Sequence, residues 1–445
     1  MVPAMPLPEI IEIVPWREAV SATLRVPGSK SLTNRALVLA ALARGVTVLR
    51  GALWSEDTQV MVEGLRRLGF GVEVEADPGE AGNRLITVRG LGGKVPPGGT
   101  AVEPLELFVG NAGTAARFLA ALVCLGRGFY RLQGVPRMRE RPQAALFQAL
   151  RQLGYGVDSP TDKLPVVIHG RGPQRQNCSV SLTESSQFAS ALLLCAEAGE
   201  WTVRVEGENS EEVPYVEMTR QLSRVFPKEN GLFSLEPDAS SGSYFWAAGE
   251  ILRQTFGDSS SVQVADWPRS GWQIDAEFPN HLPLPKTLSR EKHLGDSIMT
   301  AIVLAPLAGH PCRFTDLGRL RVQECERVAA LRTELTRCGA HVVEQGDTLE
   351  ITPSALHGAE VETYHDHRMA MCFAILGLKI PGMRLKNPGC VNKTFPNFFQ
   401  KLAAEPPAGL GAEIRDGRTG KRLTGEDLLA GATGESEHLT LEKPI

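Results

Sequence analysis

Two cations and two hydroxyls stand where a helix should begin. In the stretch RVPGSKSLTNRALVLAALARG, Pro27-Gly28 ends a short extended run, and Ser29, Lys30, Ser31 and Arg35 follow at the head of an aliphatic segment. A helix start already carries free N–H groups and a partial positive charge. Lys and Arg there add little to stability, but they suit the holding of an anion. Other aliphatic segments open in the same way: Asn111, Gly113 and Thr114; Ser185, Ser186 and Gln187; Asp296; and Asp366, His367 and Arg368. Two further runs, RMRER (Arg137, Arg139, Arg141) and RVQECER (Arg321, Glu324, Arg327), add cations. The ligand this chemistry fits is small and carries several negative charges, as phosphate and carboxylate groups do. Asp296 and Glu324, carboxylates set among cations, are candidates for proton transfer.

Taken singly, each feature has a plainer explanation. Ser31, Ser185 or Asp296 alone would be a helix cap. Arg137 to Arg141 would be a solvated charge run, and Glu324 with Arg327 a surface pair one turn apart. Cys325 lacks an evident His partner and fits a packed thiol. His365 and His367 have the spacing of a metal pair but no third ligand nearby, so no metal is expected. The functional explanation gains its weight from repetition at equivalent positions.

The elements that must position these residues also repeat. A polar or small-residue start, an aliphatic helix, a Gly-bounded turn and a β-branched strand recur six times, with helix starts near Lys30, Gly113, Ser186, Ser241, Asp296 and His367. Several copies continue into a second, amphipathic helix and a strand pair, as in SEDTQVMVEGLRRLGFGVEV followed by RLITVRG. One unit is therefore roughly βαβαββ. The copy after Ser241 runs into a Pro- and Trp-rich stretch and is shortened. Units of this length are too long for a thin solenoid. Three can close around one core, so six predict an α/β protein of two similar domains that break near GLFSLEPDASSG. The expected boundaries are 25–236 for the first domain, 1–24 with 237–402 for the second, and a polar, Gly-rich tail, 403–445, outside the core. The opening strand IIEIVPW is expected to pair with the second half.

The composition is that of an ordinary globular chain of 445 residues, 42% hydrophobic and 22% charged, with a formal net charge of −4. A nucleic-acid partner would call for a basic excess, and no apolar run reaches the roughly 18 residues of a membrane span. The N-terminus has acids and prolines and no basic region before an apolar one, so it does not read as a targeting peptide. Eight scattered cysteines without a C-x-x-C pair fit reduced thiols in a cytoplasmic protein.

Eight motifs in order, PGSKSLTNRAL, GNAGTAARFL, GVPRMRERP, SSQFASALL, DASSGSYF, RVQECER, DHRMAM and NKTFPNFF, resemble the 5-enolpyruvylshikimate-3-phosphate synthase (3-phosphoshikimate 1-carboxyvinyltransferase) family over about residues 20 to 402. The resemblance implies two inside-out α/β domains with three βαβαββ units each, and a chain that crosses between them twice. It implies transfer of the carboxyvinyl group of phosphoenolpyruvate to the 5-hydroxyl of 3-phosphoshikimate, without metal or redox cofactor; a monomer is expected. By the same resemblance Lys30, Arg137, Gln187, Arg327, Arg368 and Lys393, with the backbone at Gly113, hold phosphoenolpyruvate. Ser31 and Arg35 hold the shikimate carboxylate, and Ser185, Ser186 and Tyr215 the 3-phosphate. Asp296 takes the hydroxyl proton, while Glu324 and Lys30 deliver and recover the methylene proton.

The chain also departs from that family's pattern. Gln323 stands where Lys is usual, Glu326 where Asp is, Glu212 where a phosphate-binding Ser is expected, and Phe118 where Pro is. A compressed segment precedes Asp296, with GDS replacing the usual Pro-Asp-Ala. Two other readings therefore stay open: a paralogue with a different hydroxyl acceptor, and a non-catalytic phosphometabolite-binding protein.

Overall fold

The computed structural model describes residues 7–207 and 213–430. Glu212 and the end of the tail, 431–445, lie outside the described residues. Two separate apolar cores organise the chain. One is built from side chains between Leu32 and Leu235. The other combines Ile11 to Val26 with residues from Tyr244 to Ala430.

Three helices form the centre of each core. Lys30–Leu42, Gly113–Leu122 and Ser186–Gly199 pack on one another in the first. Ala239–Phe256, Ile298–Leu304 and His367–Gly377 do so in the second. Their sequences are apolar on nearly every face, so burial all round is the arrangement water allows them. Every residue of Gly113–Leu122 and Ile298–Leu304 is buried. The second set of helices is amphipathic and lies further out. Glu56–Arg67, for example, buries Met61, Val62 and Leu65 and leaves charges outside. Its start is tied by the Ser55 N–H, which donates to Thr58 Oγ1 at 2.9 Å.

Among the described residues six small sheets surround the central helices, one for each predicted unit. Four have four strands, with a parallel pair followed by two antiparallel neighbours. In the first core, Glu229–Ser234, Arg44–Leu53, Asn83–Leu91 and Gly71–Ala76 form one. Leu105–Phe108, Arg127–Gln133, Val166–Arg171 and Gly156–Asp158 form another. In the second core the sheets are Thr287–Ser289, Cys312–Thr315, Thr348–Thr352 and His341–Gln345, and then Glu360–Val361, Met383–Lys386, Ile10–Ile13 and Ile414–Asp416. Two sheets hold a single parallel pair: Asn177–Ser181 with Thr202–Glu206, and Ser21–Leu24 with Ser261–Val264.

The short sheets follow from how the chain changes core. Ser21–Leu24 stays in the second core, but the helix after it belongs to the first. That helix's sheet takes its leading strand from Glu229–Ser234 instead, at the end of the third unit. The two passages between cores run side by side. The Ser29 N–H donates to the Glu236 carbonyl at 3.0 Å and the Asp238 N–H to the Pro27 carbonyl at 2.8 Å. A side chain at Gly28 would stand 1.9 Å from the Gly51 carbonyl oxygen, so the crossing needs glycine there. The opening strand pairs with the second half as its sequence suggests, Ile11 opposite Leu385.

The tail corrects the sequence-based expectation. Residues after 402 do not stay outside the core: Leu410, Ala412, Ile414, Leu423 and Leu428 are buried in it, and Ile414–Asp416 closes the last sheet against Ile11–Ile13. The apolar residues at 410, 412 and 414 alternate, which is a strand pattern, but glycines and charges around them hide it.

Candidate active site

Helix starts from both cores face a common cavity of about 160 Å³. On the first side its wall is formed by Lys30, Ser31, Arg35, Ser185, Ser186, Gln187 and Tyr215, and on the second by Asp296, Gln323, Glu324 and Arg368. These are eleven of the sequence-predicted residues. The local reasons differ. Ser185 is the N-cap of its helix and accepts from the Gln187 N–H at 3.2 Å, so the plain capping role and the cavity position coincide. Arg35 is one turn into its helix, over the ring of Phe118 at 5.5 Å. Its guanidinium donates to Thr219 Oγ1 (2.7 Å), Ser190 Oγ (3.0 Å) and the Ser31 carbonyl (2.9 Å).

Asp296 is surrounded by cations. Its Oδ1 takes Arg290 at 3.2 Å and the Gln323 amide at 3.4 Å, and its Oδ2 faces Arg368 at 3.2 Å and Arg327 at 3.8 Å. Burial alone would raise its pKa, but Arg368, Arg327 and Arg290 outweigh burial and hold the carboxyl far below the usual carboxylate range. The turn that aims Asp296 is fixed by buried Asp275, whose Oδ1 accepts from the N–H groups of Gly295 (2.7 Å) and Ser297 (3.1 Å) and from the Ser297 hydroxyl. Asp275 itself is shifted upward by burial.

Glu324 is held by Lys393 at 3.1 Å and Arg327 at 2.9 Å. Burial opposes its ionisation, yet Lys393 and Arg327 bring its pKa well below the ordinary value. Arg327 is almost wholly buried and stands behind the wall, also bonded to Asp366 at 2.7 Å and to Gln323. Asp366 in turn caps the His367 helix through the Arg368 N–H at 2.8 Å. The Arg368 side chain then crosses to Ser240 Oγ at 2.7 Å, which brings the Ala239 helix start into the same cluster. Lys30 pairs with Asp57 at 3.0 Å.

One prediction fails. Arg137 is exposed and pairs with Glu140 at 2.6 Å, away from the cavity. Arg141 lines the cavity instead, its guanidinium donating to the Asn111 carbonyl at 3.1 Å. The short helix Pro136–Glu140 turns its first arginine outward, and the chain leaves that helix in extended form at Arg141. Gly113 lies beneath this arginine: a Cβ there would stand 2.6 Å from the Arg141 guanidinium and 2.3 Å from that of Arg117. Arg117 braces both neighbours, donating to Gln187 Oε1 and to the Pro142 carbonyl, each at 3.0 Å.

Sequence reasoning also missed Asp57, Asp275 and Arg290. Asp57 looked like an ordinary first-turn acid, and the other two sit in or beside the compressed Trp- and Pro-rich segment, where no helix start marks them. A larger cleft of about 860 Å³ adjoins the cavity and includes Trp246, Trp267 and Trp272. Its charged lining is Glu217, Asp266 and Glu277 against Arg269, the wrong balance for an anion.

The family model for EPSP synthase (3-phosphoshikimate 1-carboxyvinyltransferase) matches residues 15–278 and 285–402. The chain belongs to the EPSP synthase family. It is 38% identical over 435 residues to the 3-phosphoshikimate 1-carboxyvinyltransferase of Opitutus terrae, covering 90% of this chain and 98% of that protein. The corresponding enzyme of Nostoc punctiforme is 36% identical over 431 residues, covering 88% and 98%. In fold it is similar to the EPSP synthase of Acinetobacter baumannii, with a TM-score of 0.71 at 21% identity over 91% of this chain and 99% of that one. It is also similar to the enolpyruvyl transferase NikO of Streptomyces tendae, with a TM-score of 0.67 at 16% identity over 92% and 99%. The two-domain α/β architecture is thus that of EPSP synthases and of an enolpyruvyl transferase beyond them. No helix among the described residues is long and apolar enough to cross a membrane.

Proposed function

We propose that this EPSP synthase family member transfers the carboxyvinyl group of phosphoenolpyruvate to the 5-hydroxyl of 3-phosphoshikimate and releases phosphate. The observation that carries this reading is the pairing of two carboxylates, Asp296 and Glu324, with arginines and lysine on a cavity whose opposite wall is hydroxyls and helix starts. An anion-binding protein alone would have no use for carboxylates at that position.

Phosphoenolpyruvate is assigned to Lys30, Arg141, Gln187, Arg368 and Lys393, with Arg327 behind them and the Gly113 backbone beneath. Arg141 takes the role that the sequence gave to Arg137. Ser31 and Arg35 receive the acceptor's carboxylate, and Ser185, Ser186 and Tyr215 its phosphate. Glu324, with Lys30, protonates the methylene carbon. Asp296 removes the hydroxyl proton as oxygen adds to the adjacent carbon, giving a tetrahedral ketal. Elimination then returns the methyl proton to the enzyme and expels phosphate, whose growing charge the arginines and lysines stabilise.

Charge explains how the carboxylates become useful. The neighbouring cations by themselves hold both ionised. Phosphoenolpyruvate competes for those cations with its own phosphate and carboxylate, and its negative charge raises the proton affinity of Glu324 and Asp296. Binding thereby prepares the acid and the base together.

Both walls come from one chain, so a monomer suffices. A cytoplasmic setting agrees with the eight free cysteines. The domains are assigned as 25–236 and, for the described residues, 7–24 with 237–430, in line with the two cores. Phosphate release from purified protein given phosphoenolpyruvate and 3-phosphoshikimate tests the reading. Turnover that needs both compounds supports it, and equal or faster turnover with unphosphorylated shikimate would replace it with a different acceptor.

A further inference from the structure

Arg290 has no counterpart among the residues that the motifs single out. It follows the strand Thr287–Ser289, is 3% exposed, and its side chain forms part of the cavity wall. Its terminal nitrogen meets Asp296 Oδ1 at 3.2 Å, the same oxygen that the Gln323 amide approaches at 3.4 Å. Arg290 and Gln323 therefore occupy one corner. A methyl placed on Gly295, beside Asp296, would stand 3.1 Å from the Tyr215 hydroxyl. The corner thus faces the Tyr215 side of the cavity. The lysine side, where Lys393 meets Glu324, lies on the other flank of Arg327.

We infer that Arg290 is a specificity-determining residue that binds the phosphate of the acceptor and supplies the cation that Gln323 does not carry. Three features support this. A guanidinium offers paired N–H donors in the geometry a phosphate accepts. Its burial removes competing water, so its preference for a charged over a neutral acceptor is large. Asp296 does not require it for charge balance, because Arg368 and Arg327 face the other oxygen of the same carboxylate. An incoming phosphate can therefore take Arg290 while Asp296 stays held and aimed. The inference rests on the proposed reaction and names the group that makes the acceptor's phosphate matter.

The experiment compares wild type, Arg290→Gln, Arg290→Lys and the double variant Arg290→Gln/Gln323→Lys. Each is assayed by phosphate release with 3-phosphoshikimate or shikimate as acceptor, after thermal melting to check folding. Arg290→Gln is expected to raise KM for 3-phosphoshikimate by about tenfold or more, the effect of one charge-assisted contact. KM for phosphoenolpyruvate and the rate with shikimate should change little, so the preference for the phosphorylated acceptor collapses. Arg290→Lys should keep most of that preference, and the added lysine of the double variant should restore much of it. A loss of kcat at unchanged KM would overturn the inference in favour of a role in aiming Asp296, and so would equal rises in KM for both substrates. Should Arg290→Gln fail to fold, Gln323→Lys decides: a rise in the preference for the phosphorylated acceptor is expected, and no change overturns the idea. Wild-type protein that ignores 3-phosphoshikimate would instead refute the proposed reaction.

Discussion

Asp296 and Glu324 carry the chemistry at the scale of single residues, and their neighbours set when they can act. Asp296→Asn and Glu324→Gln keep shape but remove proton exchange, so each should lower kcat by about 10²–10⁴-fold while phosphoenolpyruvate binding, read by calorimetry, changes far less. Arg141→Ala should do the opposite and mainly weaken phosphoenolpyruvate binding. Arg137→Ala should leave binding and turnover close to wild type, because that side chain is exposed and pairs only with Glu140 among the described residues. His367 adds a pH effect. It is buried, and neither ring nitrogen meets a hydrogen-bond partner among the described residues. Burial presses its pKa well below the ordinary value, with Arg368 and Lys30 acting in the same direction and Glu324 against them. The unfolded chain takes a proton near pH 6.5 that the folded protein refuses, so stability falls as pH drops below that value. Between pH 7.5 and 5.5 the loss attributable to this group is about 1 kcal/mol. Urea titrations of His367→Gln at the two pH values should show a smaller loss than wild type by that amount.

At the scale of elements, the central helices owe their position to burial on all sides, and their starts are left to carry polar groups because nothing apolar can cover a helix end. The terminal strands are the less obvious component. Ile10–Ile13 and Ile414–Asp416 come from opposite ends of the described chain and complete one sheet beside Met383–Lys386. Ile414 is fully buried there. Ile414→Ala should cost about 2–5 kcal/mol of stability in a denaturant melt, the range for emptying a packed aliphatic site. A cost below about 0.5 kcal/mol would mean that this strand is not part of the folded core.

For the whole molecule, the two cores are joined on one side of the cavity and touch again across its mouth. The joined side has the double crossing at Gly28 and Pro237, and buried Glu80, which accepts from Asn397 at 2.7 Å and pairs with Lys401. Across the mouth, Arg319 donates to the Glu184 carbonyl at 2.6 Å. Cationic walls facing one another repel, and a multiply anionic ligand between them reverses the sign of that interaction. The protein in solution should therefore close about the crossing when both substrates bind, expelling water from the reacting atoms. Small-angle scattering should give a smaller radius of gyration with both ligands than with neither. An unchanged radius at proven saturation would count against closure.

The sequence by itself determined the repeating plan, because six apolar helices with polar starts leave a periodic trace that survives without any knowledge of contacts. It also pointed to the character of the ligand, since Lys30, Ser185, Ser186, Asp296 and Arg368 sit at those starts and Glu324 stands just before an outer helix. Tertiary structure alone decided the rest. Which arginine of RMRER enters the cavity depends on the direction of one short helix, so Arg141 replaces Arg137. Asp275 and Asp57 lie 20 and 27 residues along the chain from the groups they serve, and Arg290, though only six residues before Asp296, is joined to it by a segment that is neither helix nor strand, so no periodic spacing links them. The strand Ile414–Asp416 is three residues long and masked by glycines, and what makes it a strand is a partner some 400 residues away. Periodicity records the burial of a face, whereas long-range pairing and the aim of a side chain are properties of the folded surface it meets.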